Sequence, residues 1–222
     1  MNGRGAAMKR HTPPLGHKAF TPLYDFAIAA LTRESVWRKA FIGDIAPRQG
    51  ERILDIGSGT GSLAIALCKH TPRVHYVGVD PDADAVRIAE AKAAAEGVSA
   101  RFETGFFTAG KRYLDRQPDK IVSSLVFHQV PVAEKERIIN EIHASLRPGG
   151  SVHIAYYGSQ APKLSRVLFR ITVQALDGVD DTQPNADGIL PELLIAAVFQ
   201  SVAETKRIQT LTGTISLYTG VK

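Results

Sequence analysis

Apolar and polar positions follow two different rhythms along the middle of the chain. Short apolar runs predict β-strands, and longer runs with apolar residues three and four positions apart predict amphipathic helices. The predicted strands cover residues 52–56, 74–79, 100–104, 120–126 and 151–157. The predicted helices between them cover residues 62–70, 83–96 and 133–146. Strand and helix in regular alternation are typical of βαβ units, so we predict an α/β fold with a parallel sheet and right-handed crossovers.

The alternation stops after the fifth predicted strand. Residues 162–176 and 191–199 have helical patterns, and the chain then shows two further β-type runs, 201–209 and 214–221. A short turn containing Gly213 joins these runs, which predicts a β-hairpin. We therefore expect the sheet to finish with an antiparallel pair.

The N-terminal part precedes the alternation and differs from it. Residues 1–20 show no periodicity, and we expect a flexible tail. Thr21 and Pro22 suit an N-cap and a first helical position, and 33–45 has apolar residues at helical spacing. We expect residues 21–46 to form a helical segment of their own.

Composition excludes several classes of protein. The chain has 222 residues, 44% of them hydrophobic, as in an ordinary globular domain. Its single cysteine, Cys68, leaves no intramolecular disulfide, and the seven histidines form no zinc-binding motif, so we expect no metal. No apolar run is long enough to span a membrane, and the basic start leads into prolines instead of a signal sequence. We expect a cytoplasmic protein without stable membrane insertion.

Charge gives little support to nucleic-acid binding. The net charge is +5, but residues 1–24 contain four basic and no acidic residues, which leaves +1 for the remainder. A basic face large enough to follow a long polyanion is therefore not expected. We predict a small-molecule partner instead of nucleic acid, and the oligomeric state stays open, with a homodimer as one option.

The most informative segment is the glycine-rich stretch after the first predicted strand. Gly57, Gly59 and Gly61 would let the chain turn sharply and let a ligand lie against bare main chain, beside the free N–H groups of a helix N-terminus. A glycine-rich turn after a strand is also common without a ligand. The spacing differs from the Gly-x-Gly-x-x-Gly of dinucleotide sites, and the carboxylate of Asp55 would repel a pyrophosphate. It would attract the ammonium and sulfonium of S-adenosylmethionine.

A second acidic residue, Asp80, ends the second predicted strand. Adjacent βαβ units bring this position beside the glycine turn, where a carboxylate can accept hydrogen bonds from both ribose hydroxyls. Asp80 could instead be the N-cap of the following helix. Together with the glycine turn, the ribose role is the better interpretation.

At this point a family resemblance is clear. Residues 51–157 resemble, in order, a class I S-adenosylmethionine-dependent methyltransferase. The matching segments are 54–61, 78–80, 119–129 and 146–150. The last two are similar to the small-molecule branch that includes the ubiquinone and menaquinone biosynthesis methyltransferases.

The resemblance implies a fold and a division of the chain. The fold would be Rossmann-like, with a seven-stranded, mostly parallel sheet whose last strand is antiparallel, helices on both faces, and an N-terminal helical lid. A single methyltransferase domain would cover 21–222. Its parts would be the lid at 21–46, the cofactor-binding core at 51–157, a substrate-side insertion at 158–190, and a C-terminal helix and hairpin at 191–222.

The resemblance also assigns cofactor contacts. The methionine part and the ribose side of S-adenosyl-L-methionine would be held by Asp55, Gly57, Gly59 and Gly61. Asp80 would bind the ribose and Pro81 would pack near the adenine. Ser124, at the end of the fourth strand, matches a position whose backbone often touches the cofactor, although a plain strand-end hydroxyl is an equal alternative. Phe106 stands where the family often has an acid for the adenine amino group, so here the base would be held by stacking and by a backbone carbonyl.

Three more residues complete the expected site. His128 follows the fourth strand and could act as a general base, because its ordinary pKa lies near neutral pH; a polar lining residue is the alternative. Tyr24 and Trp37 lie on the predicted lid and could contact the cofactor, or else pack in the core. The expected activity is methyl transfer to a small hydrophobic or aromatic molecule. The alternatives are an RNA or protein methyltransferase and a cofactor-binding homologue without catalysis.

Overall fold

A computed structural model describes residues 33–127, 130–158 and 188–222. Its helices are α1 (Glu34–Ile45), α2 (Ser62–His70), α3 (Ala83–Ala95), α4 (Val132–Ser145) and α5 (Leu190–Ala196). Its strands are β1 (Arg52–Ile56), β2 (His75–Asp80), β3 (Ala100–Thr104), β4 (Lys120–Ser124), β5 (Ser151–Tyr157), β6 (Gln200–Thr210) and β7 (Gly213–Val221). The helices expected before residue 33 and at 162–176 lie outside the described residues.

The strands form one seven-stranded sheet in the order β3-β2-β1-β4-β5-β7-β6. The first five strands pair in parallel, and β7 is antiparallel to both β5 and β6. The predicted fold class is confirmed, including the reversed last strand. The chain changes direction beside β1 and β4, which places the carboxyl ends of these two strands at a switch point where open α/β sheets bind ligands.

Helices cover both faces of the sheet and bury two apolar clusters. The first face is covered by α1, α2 and α3, and the second by α4 and α5. Because side chains alternate along a strand, Ile53 belongs to the first cluster and its neighbour Leu54 to the second. Parallel strands that are buried on both sides explain the uninterrupted apolar runs in the sequence.

The ends of α3 show why the sequence signals were reliable there. The Asp82 carboxylate accepts hydrogen bonds from the backbone N–H groups of Asp84 and Ala85, which caps the N-terminus. At the other end, Gly97 has a φ of 63°, and the N–H of Val98 donates to the carbonyl of Ala93. This arrangement is a Schellman motif, in which glycine accepts a left-handed conformation at little cost.

The fourth strand is shorter than predicted. It ends at Ser124 because Leu125 has a φ of 56°, a left-handed conformation that leaves the strand. The N–H of Leu125 donates to the carbonyl of Ala155 on β5 at 2.9 Å, which holds this turn in place. The sequence pattern extended the strand to residue 126 because apolar residues continue past the turn.

Within the described part of the chain, no helix is both long enough and apolar enough to cross a membrane.

Asp119 lies just before β4, at the opposite, amino-terminal edge of the sheet, and connects this strand to the starts of β1 and β5. Its carboxylate accepts a 2.8 Å hydrogen bond from the backbone N–H of Arg52 and a 2.5 Å hydrogen bond from Nε of Arg147. Burial raises the pKa of Asp119, but these hydrogen bonds outweigh burial and leave the pKa below its ordinary value. The ionised carboxylate therefore stabilises the fold.

We expect Asp119→Asn to lower the melting temperature by about 3–12 °C at pH 7, because a hydrogen bond to a charged group contributes about 1.5–3 kcal/mol. A lowered pKa stabilises the folded state above the unfolded pKa, and this stability is lost as the pH falls through the folded value. The difference between wild type and variant should therefore hold from pH 7 to pH 5 and shrink toward pH 3. Thermal unfolding across this range measures it, and an unchanging difference would contradict the assignment.

Candidate functional site

The glycine turn lies where β1 ends, against the carboxyl end of β2. The N–H groups of Gly57 and Ser58 both donate to the carbonyl of Val79, at 2.8 and 3.2 Å. Gly61 then precedes the first residue of α2. The predicted strand, turn and helix are thus present, with the turn fastened to the neighbouring strand.

The three glycines of this turn have different structural reasons to be glycine. All three have positive φ, of 73°, 51° and 76° in chain order. A Cβ on Gly57 would lie 2.1 Å from Cγ2 of Val126, and one on Gly61 would lie 2.8 Å from Cβ of Ala89. Within the part of the chain that the structure describes, a Cβ on Gly59 would meet nothing within 4 Å. Packing thus requires the first and third glycines, and the main chain at Gly59 faces open space.

Gly78 on β2 is a further requirement that the sequence analysis missed. A Cβ there would lie 2.6 Å from Cβ of Ser58 and 2.8 Å from a ring carbon of Phe102. The glycine therefore allows the turn to lie directly on β2. Its place two residues before Asp80 was visible in the sequence, but the contact was not.

Asp80 lies at the end of β2 and faces the same turn. One carboxylate oxygen accepts from the N–H of Gly59 at 2.8 Å, and the other accepts from the N–H of Asp82 at 2.9 Å. The helix that follows is capped by Asp82 and not by Asp80. The alternative interpretation of Asp80 as a helix cap therefore does not apply, and its half-buried carboxylate is fixed beside the turn.

Asp55 is the most unusual residue of the site, because it is only 1% exposed although its side chain is acidic. One of its carboxyl oxygens has no hydrogen-bond partner in the described residues. Its other oxygen accepts a hydrogen bond from the hydroxyl of Tyr76. Burial raises the pKa of Asp55 to about 7, and the nearby Asp80 charge adds to this, while Tyr76 and Arg38 oppose it. A buried acid with a perturbed pKa beside a cleft is typical of a functional site.

Arg38 on α1 is the second residue that the sequence analysis missed. Its guanidinium lies over the ring of Trp37, 5.3 Å from the ring centre, and pairs with Glu34. Burial lowers the pKa of Arg38, and the charge of Asp55 opposes this, so the two side chains are electrostatic neighbours. Nε of Arg38 is buried without a partner among the described residues. Only the packing of α1 on the sheet brings this cation near the end of β1.

The structure places the remaining predicted residues as follows. Phe106 lies just beyond β3 with 61% of its surface exposed, and Pro81, beyond β2, is also exposed. Ser124 is half-buried at the end of β4. Trp37 is 2% exposed within the first apolar cluster, so its described surroundings are core, and a cofactor contact stays a prediction.

Two predicted residues, Tyr24 and His128, lie outside the described residues. Within the described ranges, no three His, Cys, Asp or Glu side chains gather as metal ligands do.

Comparison with known proteins assigns the family. Residues 53–150 match the protein family described as a methyltransferase domain. A demethylmenaquinone methyltransferase of Deinococcus radiodurans is 28% identical over 176 residues, which are 73% of this chain and 72% of that protein. The chain therefore carries a methyltransferase domain. A demethylmenaquinone methyltransferase of Thermus thermophilus is also similar, with 29% identity over 70% of this chain and 71% of that protein.

Solved structures agree with the fold of this methyltransferase. An O-methyltransferase family protein from Burkholderia thailandensis superposes with a TM-score of 0.68 and 16% identity, over 89% of this chain and 58% of that one. At 16% identity, the similarity shows a shared fold and nothing more. The methyltransferase spans 50% to 58% of the length of three solved chains that it matches.

Two solved structures of this fold, a phosphoethanolamine N-methyltransferase of Haemonchus contortus and human N-acetylserotonin methyltransferase, are complexes with S-adenosylmethionine, and the geometry of the site described here fits this cofactor. One oxygen of the Asp55 carboxyl group and Nε of Arg38 are buried, and neither has a hydrogen-bond partner in residues 33–127, 130–158 or 188–222. The methionine end of the cofactor carries an ammonium and a carboxylate, which is the complementary pair. The N–H of Gly59 donates to Asp80, so the open space at Gly59 adjoins the proposed ribose contact.

Proposed function

We propose that the methyltransferase transfers a methyl group from S-adenosylmethionine to a small hydrophobic or aromatic molecule. The proposal for the cofactor contacts rests on the buried Asp55 and its neighbour Arg38. An uncompensated carboxylate in the interior is costly, and a bound ammonium offsets that cost. The similarity to demethylmenaquinone methyltransferases supports a small, ring-containing acceptor.

We assign the contacts along the cofactor in one direction. Asp55 accepts from its ammonium and Arg38 binds its carboxylate. The main chain at Gly59 lies against the middle of the molecule, and Asp80 accepts from the ribose hydroxyls. Ser124 lies at the adjoining strand end, where its backbone borders the transferred methyl group.

Little acid–base chemistry is required of the protein for this transfer. S-adenosylmethionine supplies a methyl group on a positively charged sulfur, which keeps the bonding electron pair when the methyl leaves. The site aligns the cofactor with the acceptor and excludes water. Together these two effects lower the activation barrier of methyl transfer by a large part. His128 remains our proposed base, which takes the proton that the acceptor atom loses.

The decisive experiment measures where the methyl group goes. The full chain is incubated with S-adenosylmethionine labelled in its methyl group and, separately, with a short-chain demethylmenaquinone, a substituted phenol, ribosomal RNA, and a mixture of unmodified bacterial proteins. We expect label in a solvent-extractable small molecule and none in RNA or protein. Label in RNA or protein alone would overturn the proposed substrate class.

A matched pair of variants controls this experiment. Asp80→Asn should weaken the binding of S-adenosylhomocysteine by about 10- to 150-fold, because charge-assisted hydrogen bonds worth about 1.5–3 kcal/mol are lost. Asp82→Asn changes a carboxylate two residues away but keeps a good helix cap, so binding should stay the same. Equal effects of the two changes would remove Asp80 from the site.

A further inference from the structure

Asp55 and Tyr76 form a buried pair on the face of the sheet that α1, α2 and α3 cover. The hydroxyl of Tyr76 donates a hydrogen bond to one oxygen of the Asp55 carboxyl group. The ring of Tyr76 packs against Phe102 on β3, with ring centres 6.5 Å apart. Phe102 also lies against the glycine turn, because a Cβ on Gly61 would come within 3.1 Å of its ring. The hydroxyl that holds Asp55 is therefore fixed to the same framework as the turn.

Asp55 has no ion-pair partner among the described residues. Arg38 acts on Asp55 through its charge, but its guanidinium pairs with Glu34 instead. The second oxygen of the Asp55 carboxyl group is buried and has no hydrogen-bond partner in the same part of the chain. A carboxylate in these surroundings loses its hydration and gains one hydroxyl donor in return, which favours the protonated form.

The described groups that act on Asp55 come from the elements packed around the end of β1. On β2, the charge of Asp80 raises the pKa of Asp55 and the hydroxyl of Tyr76 lowers it, and on α1 the charge of Arg38 lowers it. On α2, the thiol of Cys68 acts on Tyr76, and β4 places an uncharged valine beside Asp55. Burial is the largest influence and raises the pKa of Asp55 to about 7.

We propose that Asp55 holds a proton while the cofactor site is empty, and that it releases this proton to solvent when it receives the ammonium of the cofactor. This inference rests on the proposed contact between Asp55 and that ammonium. The O–H bond of the carboxyl group breaks, its electron pair stays on the oxygen, and the carboxylate accepts a hydrogen bond from the ammonium. Tyr76 is a positioning residue, because its hydroxyl orients the carboxylate and sets the pH range of the exchange. Cofactor binding is thus coupled to pH.

The test measures proton release during binding. Calorimetric titration of the full chain with S-adenosylhomocysteine, repeated in buffers of different ionisation enthalpy, gives the number of protons released per ligand bound. A pKa of about 7 in the empty site predicts release of about 0.9 proton at pH 6, about 0.5 at pH 7 and about 0.1 at pH 8. The dissociation constant should be about tenfold larger at pH 6 than at pH 8.

The outcomes distinguish this inference from the proposed function. Asp55→Asn has no proton to release, so its affinity should be the same at pH 6 and pH 8. Binding by wild type without proton release and with equal affinity at both pH values would overturn the inference and leave the proposed function intact. The same proton release from Asp55→Asn and wild type would also overturn the inference. Absence of binding by wild type at every pH would overturn both.

Tyr76→Phe tests the positioning role. The carboxylate of Asp55 loses its hydrogen bond, so the pH at which half a proton is released should rise by about 1–2 units. If Tyr76 served packing alone, binding would weaken equally at all pH values and this midpoint would not move. Tyr218→Phe is the matched control, because the hydroxyl of Tyr218 also donates to a carboxylate, that of Glu204, while its ring lies in the second apolar cluster. The midpoint of this control should equal that of wild type.

Discussion

Asp55→Asn is expected to make the protein more stable to heat while weakening its binding of S-adenosylhomocysteine. Burial raises the pKa of Asp55 from 3.8 to about 7, so the folded state opposes ionisation of this group. At about 1.4 kcal/mol per pH unit, this difference corresponds to on the order of 4 kcal/mol lost on ionisation. The asparagine variant has nothing to ionise and should melt roughly 5–15 °C higher at pH 8.

The sign of the pH dependence distinguishes this explanation from others. Because the folded pKa is raised, the stability is fully present below the unfolded pKa of 3.8 and is lost as the pH rises through about 7. Wild type and Asp55→Asn should therefore differ little near pH 4 and most above pH 7. Thermal unfolding at several pH values measures this.

Affinity should change in the opposite direction. The ammonium of the cofactor loses a charged acceptor, so titration at pH 8 should show binding about 10- to 150-fold weaker. Asp115→Asn is the matched control, because Asp115 is an exposed carboxylate paired with Arg52 and remote from the glycine turn. If stability and affinity fell together in Asp55→Asn, Asp55 would be a structural carboxylate and not a cofactor ligand.

Gly59→Ala should mainly weaken cofactor binding, whereas Gly57→Ala should mainly lower the melting temperature. In Gly59→Ala the new methyl meets nothing within 4 Å among the described residues, so the cost to folding that they impose is the left-handed backbone alone, about 1–2 kcal/mol. The melting temperature should fall by roughly 2–8 °C. The same methyl occupies the space that we assign to the cofactor, and overpacking of about 1–3 kcal/mol weakens its binding by about 5- to 150-fold.

In Gly57→Ala the new Cβ would lie 2.1 Å from Val126, so backbone strain and overpacking act together and cost about 2–5 kcal/mol. This variant should melt roughly 4–20 °C lower, or fail to fold. Differential scanning calorimetry and titration with S-adenosylhomocysteine on both variants provide the comparison. Equal affinities of Gly59→Ala and wild type would show that the cofactor does not lie against this main chain.

Local sequence patterns predicted most of the architecture correctly. The predicted bounds of β1, α2, β3 and β5 agree with the structure residue for residue. Each of these elements is specified by the alternation or spacing of its own side chains and by turn residues at its ends, which are short-range properties. The number of strands and the reversal of the last one were implied by the family resemblance, and the short turn at Gly213 predicted the final antiparallel pair, whereas the order of the strands came from the structure alone.

Local patterns failed to predict a structural feature wherever a contact with a distant part of the chain determines that feature. The fourth strand ends early because Leu125 has a left-handed conformation, which a hydrogen bond to Ala155 on β5 holds in place. The turn lies on β2 because Gly78 has no side chain there. Neither contact leaves a periodic signal in the residues concerned.

The sequence by itself determined the fold class and predicted both S-adenosylmethionine as the cofactor and two acids as its ligands, because a strand, a glycine turn and a helix in succession are a local pattern with a local cause. Only the tertiary structure decided what each of these groups does. Burial raises the pKa of Asp55, and the packing of α1 on the sheet brings the charge of Arg38 near it. Asp82 takes the helix cap and leaves Asp80 facing the turn. These roles depend on desolvation and on distances between side chains far apart in sequence, which exist only after the helices have packed on the sheet.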